Sequence, residues 1–557
     1  MRRVRWIVVG AAAFVLATVL VGSAGAGRGA DQLSKIDHVV VIYEENHSFD
    51  NLYGGWEGVN GRANATPANT TQVDQNGVAY GCLKQLDVNL TSPPLVATCT
   101  DTVHGITSAF LNTWFTIDDF IPSTATTCPG AADAFAHPNG ILNGQGAPGG
   151  CTRDLVHEFY QEQYQLNGGA QNRYMSGSDS VGTTMGVYDT KQLPIYEYLH
   201  GPNHPHYAIA DDFFQAAFGG SFLNHQWLIA AATPTFPGAA DTLHSIIDSN
   251  GMPTSYPLYT ATGPVRRAPL TVTCPSPVPN RACGDFAVNT IRPASLPQGA
   301  FPPGAPLPLQ TAPTIGDRLS DAGVSWAWYS GGWSNAAGIV DGPGWTNGPG
   351  PNCADPDSAP TPVFPYCANK VFQFHHQPFN YYANYAEGAP GRAHLRDEVE
   401  FMTKAESSVA SCNLPSVSFV KPVGQENEHP GYASEPNGSD HLVQLLEMIR
   451  TSACAKNTMV IVAYDEFGGQ WDHVSPPGQG GTPGPHDIWG PGTRIPALVI
   501  SPFLRGNFAV DHTQYDTTSI LALIEEKYGL AALSSRDAAV NSLSDVFAAK
   551  QSEAAGP

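Results

Sequence analysis

Residues 38–46 read His38-Val39-Val40-Val41-Ile42-Tyr43-Glu44-Glu45-Asn46, an apolar run that ends in two acids and an amide. A second run, Thr458-Met459-Val460-Ile461-Val462-Ala463-Tyr464, is followed directly by Asp465-Glu466. Continuous β-branched runs of this length predict strands that are buried on both faces, as in a parallel sheet covered by helices. Ligands of such sheets bind outside the carboxyl ends of the strands. If the two strands are parallel in one sheet, four carboxylates and an amide converge at one edge. Because packed carboxylates repel one another unless a cation or shared protons hold them, a hard divalent-metal site is the leading hypothesis.

The rest of the chain predicts one large α/β domain. Strand-like and helical patterns alternate over residues 35–535, which we assign to the domain, and residues 536–557 are assigned to a C-terminal tail. The counts of 57 glycines and 47 prolines predict long loop-rich insertions, placed at 62–150, 250–313 and 337–370. Helices are predicted at 154–166, in pieces over 188–232, and at 394–408, 438–451 and 515–528. A helix followed by a strand is predicted over 315–328, and a further strand over 495–501.

The first 26 residues predict a secretory signal, and therefore a secreted or periplasmic protein. Three arginines precede an apolar stretch from Trp6 to Val21, and Ser23-Ala24-Gly25-Ala26 supplies a small-residue cleavage site. An uncleaved membrane anchor is the alternative. No second apolar run of membrane length follows, so no stable membrane insertion is expected. The formal charge of −22 disfavours nucleic acid and anionic membranes as partners.

The ten cysteines fall into five local couples, which in an exported chain suggests five short disulfide loops. Spacing cannot prove connectivity, so nearest-neighbour pairing is a hypothesis. The couples are Cys82–Cys99, Cys128–Cys151, Cys274–Cys283, Cys353–Cys367 and Cys412–Cys454. No Cys/His zinc pattern is present.

An ordered series of motifs resembles a known family, the bacterial secreted phosphoesterases that include phospholipase C and acid phosphatase. The resemblance covers residues 36–530. Its blocks are Glu45-Asn46-His47-Ser48-Phe49-Asp50, Asp154-Leu155-Val156-His157, Thr184-Met185-Gly186-Val187-Tyr188, His375-His376-Gln377-Pro378-Phe379, Glu428-His429-Pro430 and Tyr464-Asp465-Glu466-Phe467-Gly468-Gly469.

The resemblance implies an alkaline-phosphatase-like three-layer α/β fold, with a mostly parallel sheet between helices. It also implies roles for individual residues. The metal ligands would be Glu45, Asn46, Thr184, Asp465 and Glu466. Thr184 would be the nucleophile, and the phosphoryl oxygens would be surrounded by His157, His375, His376 and His429. Val187 and Phe467 depart from the family pattern, which has an aromatic residue and an asparagine at these positions.

The chemistry of these residue types agrees with those roles. A hydroxyl is a weak nucleophile at neutral pH, and a bound divalent cation lowers its pKa and orients it. Oxygen-rich ligation suits Ca²⁺, Mg²⁺ or Mn²⁺, while nearby histidines would let Zn²⁺ or iron compete. Each motif alone has an ordinary structural explanation: an acidic pair after a strand can cap a helix, and a threonine before Met-Gly is usually a loop residue.

The sequence leaves the substrate open. Gly219-Gly220-Ser221-Phe222-Leu223-Asn224-His225-Gln226-Trp227 resembles the acid-phosphatase side of the family, and Asn224 and His225 are candidate specificity residues. We therefore expect a phosphomonoesterase that forms a phosphothreonine intermediate, with phospholipase C as the alternative. An exported phosphate- or metal-binding protein without turnover is a third hypothesis. The oligomeric state is not predicted.

Overall fold

The computed structural model describes residues 29 and 31–549, apart from 88–89, 91–94, 123–151, 241–242, 263–281, 284–287, 289, 298–304, 346–371 and 432. Its strands are β1 His38–Glu44, β2 Cys99–Asp101, β3 Ile106–Ser108, β4 Phe115–Thr116, β5 Gly186–Val187, β6 Tyr207–Ala210, β7 Phe213–Phe214, β8 Ile246–Ile247, β9 Ala282–Cys283, β10 Trp326–Ser330, β11 Leu395–Asp397, β12 Val417–Lys421, β13 Thr458–Tyr464, β14 Ala497–Ile500, β15 Phe508–Asp511 and β16 Tyr515–Asp516. Its α-helices are Phe49–Leu52, Pro67–Thr70, Phe159–Leu166, Pro194–His200, Ser221–Ala230, Ile315–Asp321, Trp333–Ala337, Glu398–Glu406, Glu435–Arg450 and Thr518–Tyr528.

Eight strands form the central sheet, in the order β11-β10-β12-β1-β13-β14-β6-β15. Only β14 runs antiparallel to its neighbours, so the prediction of a mostly parallel sheet is confirmed. β1 and β13 are adjacent and parallel, with His38 opposite Thr458 and Glu44 opposite Tyr464. The two acidic pairs therefore leave the sheet side by side, so the condition that the sequence analysis set for their convergence is met.

Helices cover the sheet in two groups, which gives the expected three-layer arrangement. The helix Glu435–Arg450 packs on Glu398–Glu406 and Pro194–His200, while Ser221–Ala230 packs on Ile315–Asp321 and Thr518–Tyr528. The strand residues between the layers are buried, including all seven of β13. None of the helices in the described part of the chain has the length and apolar character that spanning a bilayer requires.

The predicted helices are present, with shorter bounds in three places. The helix expected to begin at residue 154 begins at Phe159 instead, because residues 154–158 form an extended loop. That loop includes His157, a residue of the candidate active site. The region 188–232, expected to be helical in pieces, also contributes the strands β6 and β7. β6 is a short, fully buried apolar run, and such runs are ambiguous between helix and strand by pattern alone.

Two of the five predicted disulfides lie on described residues, and both are formed. Cys82–Cys99 ties residue 82 to the first residue of β2, and Cys412–Cys454 joins the segments that precede β12 and β13. Each of the other three couples has at least one cysteine outside the described residues. At the C-terminal end, Leu543, Val546 and Phe547 are buried in the core, so residues up to 549 pack on the domain.

Candidate active site

Four predicted metal ligands meet at the carboxyl ends of β1 and β13. Glu45, Asn46, Asp465 and Glu466 are all fully buried. The Asn46 backbone N–H donates to Asp465 Oδ1 over 3.2 Å, which links the two loops directly. Asn46 has a φ of 60°, a left-handed conformation that asparagine tolerates better than most residues. Opposite it, Gly468 is required because a Cβ there would collide with the Asn46 carbonyl oxygen. The tight approach brings both acidic loops into one cluster.

Electrostatics in this cluster favour a cation. Burial, and then the charge of Glu45, raise the pKa of Asp465 to about 7. Burial and the charge of Asp465 raise the pKa of Glu466 well above its ordinary value. Asp465 Oδ2 is buried without a hydrogen-bond partner among the described residues. Buried carboxylates that repel one another, one of them with an oxygen that has no donor in the described part of the chain, are arranged as ligands of a hard divalent ion, so the donor set fits the metal that the sequence predicts.

Glu45 carries the negative charge of the cluster even without a metal. Its Oε1 contacts the Lys421 ammonium and lies 2.8 Å from His376 Nε2. Burial alone would raise the pKa of Glu45, but the charges of His376 and Lys421 offset this and hold it well below its ordinary range. Lys421 is the last residue of β12, is fully buried, and also donates to the Tyr43 carbonyl oxygen over 2.9 Å.

Glu44 does not join the other acids, which corrects the expectation of four converging carboxylates. Neither of its oxygens has a hydrogen-bond partner among the described residues, and its pKa is raised well above the usual value by burial and by Glu428. Successive side chains of a strand point to opposite faces, so Glu44 and Glu45 cannot both enter one site. The site therefore has three carboxylates and one amide.

His157 and His429 approach the cluster through Asn46. The Asn46 amide nitrogen lies 2.9 Å from His429 Nε2 and 3.4 Å from His157 Nε2. The Nδ1 atoms face backbone carbonyls, of Pro430 at 2.7 Å and of Leu155 at 2.5 Å. Nδ1 must therefore carry the proton in both rings, which leaves Nε2 as the acceptor that faces the site. Burial lowers the pKa of His429 to about 3, so its imidazole is neutral until a negative ligand arrives.

His375, His376 and His225 form a second group of imidazoles. The first two lie on the 3-10 turn Phe374–His376, which is how adjacent residues reach one site. The rings of His225 and His376 stack with centroids 5.3 Å apart. Nitrogen atoms of these two rings and an oxygen of Glu45 lie within 4.8 Å of one another. Burial lowers the pKa of all three histidines.

Thr184 lies on the 3-10 turn Val181–Met185 and is fully buried. The turn is bonded to both acidic loops: the Trp471 N–H donates to the Thr184 carbonyl over 3.0 Å, and the Asn51 amide donates to the Gly186 carbonyl over 2.8 Å. The Thr184 hydroxyl donates to the Val181 carbonyl over 2.9 Å. Val181 has a φ of 43°, which is strained for a β-branched residue, and such strain clusters at functional sites.

Asn224 belongs to the framework of the site. Its Oδ1 accepts from the Ala217 N–H at 2.9 Å, and its Nδ2 donates to the carbonyls of Ala217 and Gly219 at 3.0 and 3.1 Å. The amide is fully used in holding the loop before the helix Ser221–Ala230. A substrate contact would have to break these bonds, so the specificity role of Asn224 stays a prediction without a contact to support it.

Two residues of the cluster were missed from the sequence. Lys421 ends a short strand, β12, that was not predicted, and its pairing with Glu45 is a long-range contact. Ser221 lies inside the quoted 219–227 stretch, yet a serine at a helix start is ordinary. Its hydroxyl lies 3.3 Å from Glu45 Oε2, 3.3 Å from Asn46 Oδ1 and 3.4 Å from Glu466 Oε1.

Over most of its length the chain is similar to a family of known proteins. The model of the Phosphoesterase family matches residues 36–531. The chain belongs to that family. Over 94% of its length it is 24% identical to Phospholipase C A of Mycobacterium tuberculosis, covering 79% of that protein, and likewise 24% identical to Phospholipase C B, covering 80%. A segment that makes up 26% of the chain is 27% identical to Non-specific phospholipase C6 of Arabidopsis thaliana, and the match covers 33% of that protein. This phosphoesterase is a hydrolase that acts on phosphoric ester bonds.

Proposed function

We propose that the chain is a secreted, metal-dependent phospholipase C that uses Thr184 as its nucleophile. The observation that carries the phosphoester chemistry is the convergence of Glu45, Asn46, Asp465 and Glu466 at the ends of two parallel strands. The preference for phospholipids over the monoesters favoured by the sequence rests on the full-length similarity to two phospholipases C.

The surface beside the nucleophile turn also suits a lipid substrate. Five of the eleven exposed large hydrophobic residues among those described fall between 78 and 111, namely Val78, Leu95, Val96, Val103 and Leu111. The same segment supports the turn: the Lys84 carbonyl accepts from Gly182 N–H over 2.8 Å, and Gln85 Oε1 accepts from the Thr183 hydroxyl over 3.2 Å. Concentrated exposed apolar side chains are typical of interaction surfaces.

In the proposed reaction the Thr184 hydroxyl releases its proton to solvent, and its oxygen bonds to phosphorus as the bond to the diacylglycerol oxygen breaks. The leaving oxygen takes a proton from His157 Nε2, which solvent must first protonate through the 19% exposed side chain. Asp154 Oδ1, 3.4 Å from Nδ1, supports the charged ring. Water then cleaves the phosphothreonine and returns a proton to Thr184. A bound divalent cation would acidify the threonine hydroxyl and neutralise phosphoryl charge.

The nucleophile is tested by replacing Thr184 and its neighbour in parallel. Thr184→Ala should lower kcat by at least about a thousandfold, whereas Thr184→Ser should keep part of it. The matched control is Thr183→Ala, which removes a hydroxyl that bonds to Gln85 and should stay within about tenfold of wild type. Full activity of Thr184→Ala on any phosphoester would remove Thr184 from the mechanism.

The substrate is tested on phosphatidylcholine vesicles and on p-nitrophenyl phosphate. Release of diacylglycerol should exceed monoester turnover, and Val96→Ser should weaken activity on vesicles alone. Val409→Ser is the control, since Val409 is 85% exposed and Val96 is 86% exposed. Monoester turnover without diacylglycerol release would favour the phosphomonoesterase, the candidate that the 219–227 stretch supports.

A further inference from the structure

Resting on the proposed metal-dependent chemistry, we infer that Glu162 is a positioning residue for the metal site, and that it acts through the amide of Gln215. Glu162 lies in the helix Phe159–Leu166, and both side chains are fully buried. The loop that they fix is the one that carries Asp465 and Glu466, two of the proposed metal ligands. Glu162 is not itself a ligand, because four hydrogen bonds occupy its two oxygens.

The Glu162 carboxylate accepts from two donors at each oxygen. Oε1 accepts from the Thr493 N–H over 2.6 Å and from the Thr493 hydroxyl over 2.7 Å. Oε2 accepts from the Gly219 N–H over 2.6 Å and from the Gln215 amide over 2.9 Å. Burial raises the pKa of Glu162 to about 7, although all four bonds favour the charged form. A carboxylate accepts at both oxygens and donates at neither, which is what four converging donors require.

The Gln215 amide carries this anchoring to the metal loop. Its Oε1 accepts over 2.9 Å from the N–H of Phe467, the residue that follows the two acids. Its Nε2 faces three acceptors, which are Glu162 and the carbonyls of Ala217 at 2.8 Å and Gly219 at 3.2 Å. A flipped amide would turn its oxygen toward three acceptors and its NH₂ group toward a donor, so the surroundings enforce the observed orientation.

The backbone around the pair is shaped to fit it. A Cβ on Gly492 would lie 2.6 Å from Glu162 Oε1 and 2.7 Å from Gln215 Nε2, so only glycine leaves room for both. The backbone of Gln215 also donates to the Thr493 carbonyl over 3.1 Å and accepts from the Gly492 N–H over 2.9 Å. One carboxylate thus joins its helix to residues 215–219, residues 492–493 and, through Gln215, the metal loop. Contacts that hold metal ligands from behind typically contribute about 10–100-fold to metal affinity.

The test is Ca²⁺ titration of chelator-stripped protein by calorimetry, without substrate. Glu162→Met removes the acceptor of all four donors at nearly constant size, so the Gln215 amide loses its anchor and the Kd for Ca²⁺ should rise at least about tenfold. Gln215→Met leaves Glu162 with three donors but removes the acceptor of the Phe467 N–H, and should raise the Kd to a similar extent. Because Glu162 acts through Gln215, the double variant should bind Ca²⁺ no more weakly than the weaker-binding single variant.

Asp248→Leu is the matched control. Asp248 is 2% exposed, and its carboxylate also accepts from two donors at each oxygen, although none of these donors lies in a loop with a proposed metal ligand. They are the N–H groups of Asn250 and Met252 at Oδ1, and the Tyr259 hydroxyl and the Thr262 N–H at Oδ2. Asp248→Leu should therefore lower the Tm, as Glu162→Met does, and leave the Kd for Ca²⁺ unchanged.

A Kd for Gln215→Met within twofold of wild type overturns the inference, and this variant decides the matter even where Glu162→Met fails to fold. Effects that multiply in the double variant, or an equal rise in Kd for Asp248→Leu, also overturn it, and so does a stripped wild-type protein that binds no Ca²⁺. The outcome is separable from that of the nucleophile: if Thr184→Ala is inactive while Gln215→Met binds Ca²⁺ with wild-type affinity, only the positioning inference fails.

Discussion

Lys421→Met should destabilise the metal-free protein through Glu45. The lysine ammonium contacts the buried carboxylate and donates to the carbonyls of Tyr43 at 2.9 Å and Glu44 at 3.4 Å. Removing one partner of a buried ion pair costs about 3–5 kcal/mol, because the other charge stays desolvated. His376 remains 2.8 Å from Glu45 and can take up a proton in compensation, so we expect a value of about 3 kcal/mol.

The assay is urea unfolding at pH 7 in excess chelator. The double variant Lys421→Met/Glu45→Gln should recover at least half of the loss, since it removes the uncompensated charge. Lys191→Met is the control: this lysine is 66% exposed and 4.0 Å from Glu57, so its removal should cost less than about 1 kcal/mol. The reasoning is refuted if Lys421→Met unfolds within about 1 kcal/mol of wild type, or if the double variant is no more stable than the single one.

Three other outcomes are expected. His441 lies 2.8 Å from Glu398, and nearby carboxylates outweigh burial and raise the pKa of His441 to about 9. Its contribution to the free energy of unfolding is therefore full below about pH 6.5 and is lost as the pH rises through 9. Urea unfolding at pH 6 and pH 10 should show wild type losing about 3 kcal/mol more than His441→Gln, and equal losses would contradict this. Replacing both Cys82 and Cys99 by alanine should lower kcat severalfold, since their loop supports the nucleophile turn. Replacing both Cys412 and Cys454 should lower only the Tm. If the two double variants differ in Tm but have the same kcat, the expected effect of the Cys82–Cys99 loop on kcat is contradicted. Chelation should abolish hydrolysis and lower the Tm, and Ca²⁺ at about 100 times its Kd should restore about 2.7 kcal/mol of stability; activity that survives exhaustive chelation would exclude a metal-dependent reaction.

The amino-acid sequence by itself determined the elements that are local or carried by a strong pattern. Uninterrupted apolar runs predicted β1 and β13 as buried strands, because only a strand covered on both sides buries every side chain of such a run. The acids after each run would share one edge only if the two strands were parallel in one sheet, and their pairing meets that condition. The ordered motifs extended this to the family and to a hydrolase of phosphoric esters. The roles of Thr184 and the four histidines remain predictions.

Tertiary structure alone decided which side chains of those segments face one another. The pairing of β12 with β1 brought Lys421 under the acidic cluster. The glycine loop and the amide of Asn224 delivered the Ser221 hydroxyl among three acceptor oxygens. Each of these contacts joins residues more than 170 positions apart, and no local pattern specifies them, because the energy of a buried charge or hydroxyl depends on the groups that folding places around it.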